Sequence, residues 1–266
     1  MKRILRISVS IAALLAVIAS LTWAYFQATA APPRPLSNLV PQGALLYLEA
    51  KDFSGLLQEW EASPEKRIWL TSENYSIFSQ SRLFLRLHDA QQEFAAATGV
   101  PADTDFLNQA AGRQSALAIY DIGKLELLYI TRMSSSHFFD TQLWQGRGKF
   151  EVRSAQGAQF FVRTDPQSKR VVAFAVAEDY LILGTREDLV AGALESIAGT
   201  PSRTIEQEDW YRNATAAADQ PGDLRMVLNL EKIAVTPQFR TYWIQQNITE
   251  MQGFTAAISD LRRSSA

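Results

Sequence analysis

The chain has 266 residues, no cysteine, two histidines and a formal net charge of −2. Without thiols it has no disulfide framework, thiolate metal site, cysteine nucleophile or lipidated cysteine. Setting aside the leader cations Lys2, Arg3 and Arg6 takes the charge from −2 to −5, which offers no general attraction for nucleic acid.

Residues 7–26 are twenty consecutive uncharged residues behind that basic start. A run of this length crosses a hydrocarbon core of about 30 Å as a helix, and the cations before it favour a cytoplasmic amino terminus. Residues 1–30 therefore read as a signal anchor or signal peptide. Trp23, Tyr25 and Phe26 sit at the outer end of the run, where amphipathic rings favour the headgroup layer, and this favours a retained anchor. Ala28-Thr29-Ala30 supplies a small-x-small site, so secretion after cleavage near Ala30 is the alternative. Residues 31–38 are a proline-rich spacer, and the roughly 236 residues after the leader suffice for one large domain or two modest ones.

In chain order, residues 44–50 read as a buried strand, and Asp52 then caps a helix whose Phe53, Leu56, Leu57 and Trp60 share one face. This helix breaks near Ser63-Pro64. Residues 68–98 read mainly as helix, stopped by Gly99-Val100-Pro101. Asp103 caps a short helix through Ala111, and residues 115–121 and 125–132 form a hairpin around Ile122-Gly123-Lys124. Ser136 caps a helix over 137–145. Four short strands over 150–153, 159–163, 171–176 and 180–183 make a meander, closed by a helix over 186–197. Short turns rather than helical crossovers join the strands, so the class is α+β: a mostly antiparallel sheet, hairpin plus four-strand meander, packed with helices. The domain spans 39–200.

After Pro201, Thr204 to Gln207 has capping-box spacing. Residues 223–231 repeat the pattern of the opening strand, and both are followed by a segment carrying Phe and Trp, Phe53 to Trp60 and Phe239 to Trp243. The expectation is that 201–266 starts a second, truncated copy packing on the first, and that the gene continues beyond Ala266.

The opening residues 39–48, the hairpin 116–132 and the closing stretch 175–189 resemble a group of uncharacterised bacterial exported proteins, the domain-of-unknown-function family 3352 and its relatives. The resemblance spans roughly 39–199 and rests on diffuse strand patterns. It implies a bacterial envelope setting and no particular reaction, with residues 7–26 in the inner membrane as a single pass and the C-terminal domain periplasmic or extracellular.

The chemistry-bearing residues lack the spacing of known sites. His88 and His137 have no metal-ligand spacing around them. Ser134-Ser135-Ser136-His137 has no nucleophile elbow, and Gly146-Arg147-Gly148 lacks the context of a phosphate loop. Asp103-Thr104-Asp105 begins like a calcium loop but lacks its later ligands. Glu206, Glu208 and Asp209 are read as the acidic first turn of a helix, and with His137 are the first residues to test for acid–base work. Trp60, Trp69, Trp144, Trp210 and Trp243 are read as core. No catalytic, cofactor or metal residue is assigned, and no nucleic-acid partner. The functional expectation is a membrane-anchored, non-catalytic binding or scaffold protein for an envelope component, with a lipid or apolar-ligand carrier as the alternative.

Overall fold

The computed structural model describes residues 34–216, 218, 221–237 and 257–261. The leader 7–26 and Trp243 lie outside them. No helix among the described residues is long and apolar enough to cross a membrane. The described residues from Leu36 onward form one compact unit.

The unit is α+β and built on one antiparallel sheet. Its strands are β1 (Leu46–Ala50), β2 (Ser115–Asp121), β3 (Glu126–Arg132), β4 (Glu151–Ala155), β5 (Ala158–Thr164), β6 (Val171–Ala177), β7 (Tyr180–Gly184), β8 (Leu224–Leu228) and β9 (Ala257–Leu261). Their spatial order is β4-β5-β6-β7-β3-β2-β1-β8-β9. The expected hairpin is β2–β3 and the expected meander is β4 to β7, each strand pairing with the next. In the β5–β6 turn the Asp165 carboxylate accepts from the Ser168 backbone N–H and hydroxyl, a local alternative to ladder pairing.

The helices are α1 (Phe53–Ala62), α2 (Pro64–Leu70), α3 (Glu73–Ser79), α4 (Arg82–Thr98), α5 (Thr104–Ala110), α6 (Ser135–Phe139), α7 (Gln142–Gln145), α8 (Glu187–Ile197), α9 (Asp209–Ala216) and α10 (Leu230–Ala234). Asp52 and Asp103 cap α1 and α5 as their positions require, each carboxylate accepting from the backbone N–H three residues on. Gly99 ends α4 in the left-handed region, at φ 75°, where its missing side chain removes the usual penalty.

Two expectations are corrected and one is refined. Residues 68–98 are mainly helix, divided into the end of α2, α3 and α4, because Ser72 and Ser81 each restart the helix by accepting from the N–H three residues later. The helix over 137–145 is likewise two pieces, α6 and α7, with Thr141 capping the second. The Thr204 capping box does not form. Ile205 N donates to the Val40 carbonyl and Gln42 N to the Arg203 carbonyl, which ties this segment to the domain's start and leaves Thr204 without a side-chain cap bond.

Alternation along the strands sends side chains to two faces. The first face is filled by α8 and α9 and by a 3-10 turn over 36–39, which pack on Tyr47, Ala116, Ala118, Leu128, Ile130, Ala173, Ala175, Ile182 and Val227. Alanines beneath α8 allow a close approach, and Gly184 leaves room for Val190. On the second face, the end of α4 with α5, α6 and α7 covers Val172, Phe174 and Leu181 of the meander. Among the described residues this second cover stops short of β1, β2 and β8, where Leu46, Leu48, Leu117, Ile119, Met226 and Leu228 are half-buried.

Strand β8, the segment expected to open a second copy, lies in the same sheet beside β1. The two pair antiparallel, Leu46 with Leu228, Leu48 with Met226 and Ala50 with Leu224. Each strand then runs into an Asx-capped helix, Asp52 into α1 and Asn229 into α10.

Candidate functional site

The second face holds an apolar cleft where its cover runs out. The floor is Leu48 and Ala50 of β1, Leu117 of β2, Tyr129 of β3, Leu183 of β7 and Leu224 of β8, and the walls are Phe53 of α1 and Phe106, Leu107 and Ala110 of α5. Its volume is about 250 Å³, and it opens to solvent. Phe53 meets the Tyr129 ring edge-on at 6.3 Å between centroids. The floor and walls are fixed by the fold: β1, β2 and β3 present alternate residues, while the Asp52 and Asp103 caps set where α1 and α5 begin.

The hydroxyls in this lining are turned inward and satisfied. Tyr129 Oη lies 3.0 Å from the Ala110 carbonyl oxygen and 3.2 Å from Ser115 Oγ. Ser115 Oγ is 2.6 Å from Thr131 Oγ1, which also accepts from Gly112 N at 2.9 Å. Burial pushes the Tyr129 phenol above its ordinary range, against the hydrogen bonds that pull it down. The cleft therefore offers a solvent-facing surface of carbon and no acid or base. Gly112 makes this seam possible, since a Cβ there would come within 2.1 Å of the Arg132 carbonyl oxygen.

The acid–base candidates are not gathered into a site. Glu206 accepts from the buried Ser37 hydroxyl, and Glu208 accepts from Gly43 N at 2.9 Å and from Lys232 Nζ at 3.1 Å. Both carboxylates thus fasten the start of the domain to residues 205–208. They precede α9 rather than forming its first turn. Asp209 does open α9, where it pairs with Arg212 at the surface. His137 is exposed on α6, which packs on the opposite face, and His88 is exposed beside Gln92 on α4. Asp103 caps α5, and Gly146 to Gly148 lie in a 3-10 turn. Among the described residues, no three His, Asp or Glu side chains converge as a cation site.

Near Glu206, Tyr47 is fully buried and its hydroxyl donates to Glu49 at 3.0 Å. Burial, with the Glu49 charge next, raises its pKa well above the ordinary value, and burial pushes Tyr211 up to about 12. Both phenols keep their protons at neutral pH, so neither supplies a phenolate base.

The tryptophans divide. Trp210 is buried in the first core and Trp144 is half-buried against Phe138 and Phe161. Trp60 and Trp69 are exposed, against the expectation of core, because the helices that carry them do not lie on the sheet. The sequence carried a trace of the cleft in β1, β2 and β8, which are apolar at successive positions instead of alternating. Such strands are built to be covered on both faces.

No protein-family model and no curated protein matches the chain. Among solved structures it is similar to crystal form III of TP0453, with 10% sequence identity over 78% of this chain and 70% of that one, at a TM-score of 0.34. A similarity that distant transfers neither fold nor function.

Proposed function

We propose that this chain is a membrane-anchored, extracytoplasmic binding or scaffold protein without catalytic activity, and that its binding surface is the apolar cleft on the second face. The observation that carries the reading is the cleft's lining, whose hydroxyls are spent on internal hydrogen bonds. At about 250 Å³ it falls below the roughly 300–1,000 Å³ of sites that enclose a whole small molecule. It suits one or two bulky apolar side chains of an envelope protein, as anchor residues fill pockets at protein interfaces. The half-buried Leu46, Ile119, Met226 and Leu228 extend the apolar surface along the sheet. The uncharged run 7–26 and the resemblance to exported proteins support the setting.

A carrier of lipid or another apolar ligand is the second reading, favoured by the same carbon lining. A headgroup would need polar partners, and the hydroxyls nearest the cleft are already paired.

The experiment places a photoreactive side chain at the exposed Leu107 of the full-length protein in cells. The expected result is a discrete protein adduct that Leu117→Asp abolishes. A lipid adduct in its place would favour the carrier, and the absence of either would refute a binding role for the cleft. A reporter fused after Ala50 and found active only in the cytoplasm would sink the extracytoplasmic placement.

A further inference from the structure

Helices α1 to α3 are unusual in that none of their residues is buried. Their contacts run along an arm, from α1 to α2, α2 to α3 and α3 to α4. The arm is stepped. The capping serines Ser63, Ser72 and Ser81 recur every nine residues, each hydroxyl accepting at 3.1 Å from the N–H three residues on. The repeat places equivalent positions alike: Trp69 and Phe78 pack together, joined by Tyr75 and Phe84, so the arm has an aromatic seam of its own. One position earlier in each step, Ile68 and Ile77 stand exposed at 67% and 65%. Leu70 on α2 and Leu85 and Leu87 on α4 are exposed as well.

We infer that this arm is a lipid-surface element that lays its isoleucines and Trp69 into the interfacial layer of the bilayer that anchors the chain. The inference rests on the anchored reading of residues 7–26. The nine residues 27–35 extend at most about 3.3–3.6 Å each, so the reach from the end of the anchor to Leu36 is at most about 30 Å. A helical segment binds an interface in proportion to the apolar area it buries there, and Ile68, Trp69 and Ile77 supply such area. The charge of the arm selects the kind of surface. Glu59, Glu61, Glu65, Glu73 and Asp89 oppose Lys66, Arg67, Arg82 and Arg86, so no cationic excess seeks anionic headgroups. Contact is therefore apolar, made with zwitterionic lipid, and insensitive to salt.

The test uses the full chain in phosphatidylcholine vesicles. Because the protein has no cysteine, Ile77→Cys or Val152→Cys carries a single environment-sensitive fluorophore, the second at an exposed position on β4 as the control. With nitroxide-bearing lipid in the vesicles, the label at position 77 should be blue-shifted and quenched, unchanged in high salt, and the label at 152 should be neither. If the chain floats with the vesicles after a carbonate wash but the two labels behave alike, the inference is overturned and the anchor stands. If the chain does not float, the anchored reading fails and takes the inference with it. Self-quenching at 77 that depends on protein density would assign the arm to a second copy, which also overturns it, as would loss of quenching in high salt.

Discussion

On β3, Leu128 and Ile130 point to a face where α8 and its neighbours leave them no exposure, while Leu127 and Tyr129 point to a face that helices cover only in part. Both sets are apolar. The difference comes from what the chain supplies next: α8 follows the meander immediately and has an apolar stripe long enough for its half of the sheet, whereas the 46 residues from 53 to 98 are spent largely on an arm that reaches away from it. A fold that had merely to be stable would have laid those helices across Leu46, Leu48 and Leu117. Leaving them only half-buried sacrifices hydrophobic stabilisation, and apolar surfaces that keep contact with solvent mark interaction sites.

The contrast is broken most directly by truncating neighbours on opposite faces. Leu128→Ala should cost about 3 kcal/mol, in the range for a fully buried leucine, and Leu127→Ala about 1 kcal/mol, since part of its surface is already in water. Urea unfolding of the two variants checks this, and equal losses would mean the second face is as closed as the first. Gly112→Ala should come next, at about 2 kcal/mol, because its methyl group meets the Arg132 carbonyl rather than a movable side chain. A melting temperature equal to the parent's would show that the seam between α5 and the hairpin is loose.

Leu117→Asp sharpens the functional side of the contrast. It should change stability by only about 1 kcal/mol while abolishing binding of an apolar fluorescent dye to the cleft, followed by dye titration. Retained dye binding would place the apolar site elsewhere.

The smallest expected effect concerns the closed half of the second face, where Glu93 on α4 reaches Arg170 at the start of β6. Partial burial raises the Glu93 pKa, but the hydrogen bond and charge of Arg170, helped by Arg86, outweigh it and hold the carboxyl below its ordinary 4.5. A depressed carboxylate contributes stability above its unfolded pKa and loses that contribution as the pH falls through the folded value. Glu93→Gln should therefore cost about 1 kcal/mol at neutral pH, given the exposure of the pair, and the gap from the parent should close as the pH drops below 4.5. A gap that stays constant with pH would mean that the pair contributes nothing as a charge.

Much of the local structure was legible because local chemistry decides it. Ile122-Gly123-Lys124 turns the hairpin, Asp52 and Asp103 cap, and Leu189, Val190, Ala193, Leu194 and Ile197 fall on one helical face. The division of 68–98 is also written there, in Ser72 and Ser81, each of which accepts from the N–H three residues on and restarts a helix. Strand order was not legible. Nothing near Leu228 or Leu46 says that they belong side by side, because that choice is made by complementary apolar faces across the whole domain. The cleft was hidden for the same reason: its twelve lining residues come from seven strands and helices, and no spacing in the sequence joins Phe53 to Leu183 or Leu224.

The pairing of β1 with β8 also sets a timetable. Leu46 waits for Leu228, so one edge of β1 stays unsatisfied until nearly the whole chain is available. At about 5–20 residues per second of synthesis, the interval from β1 to β8 is on the order of ten seconds or more. During that time the sheet cannot close around β1, and pairings so distant in sequence are slow to form even afterwards.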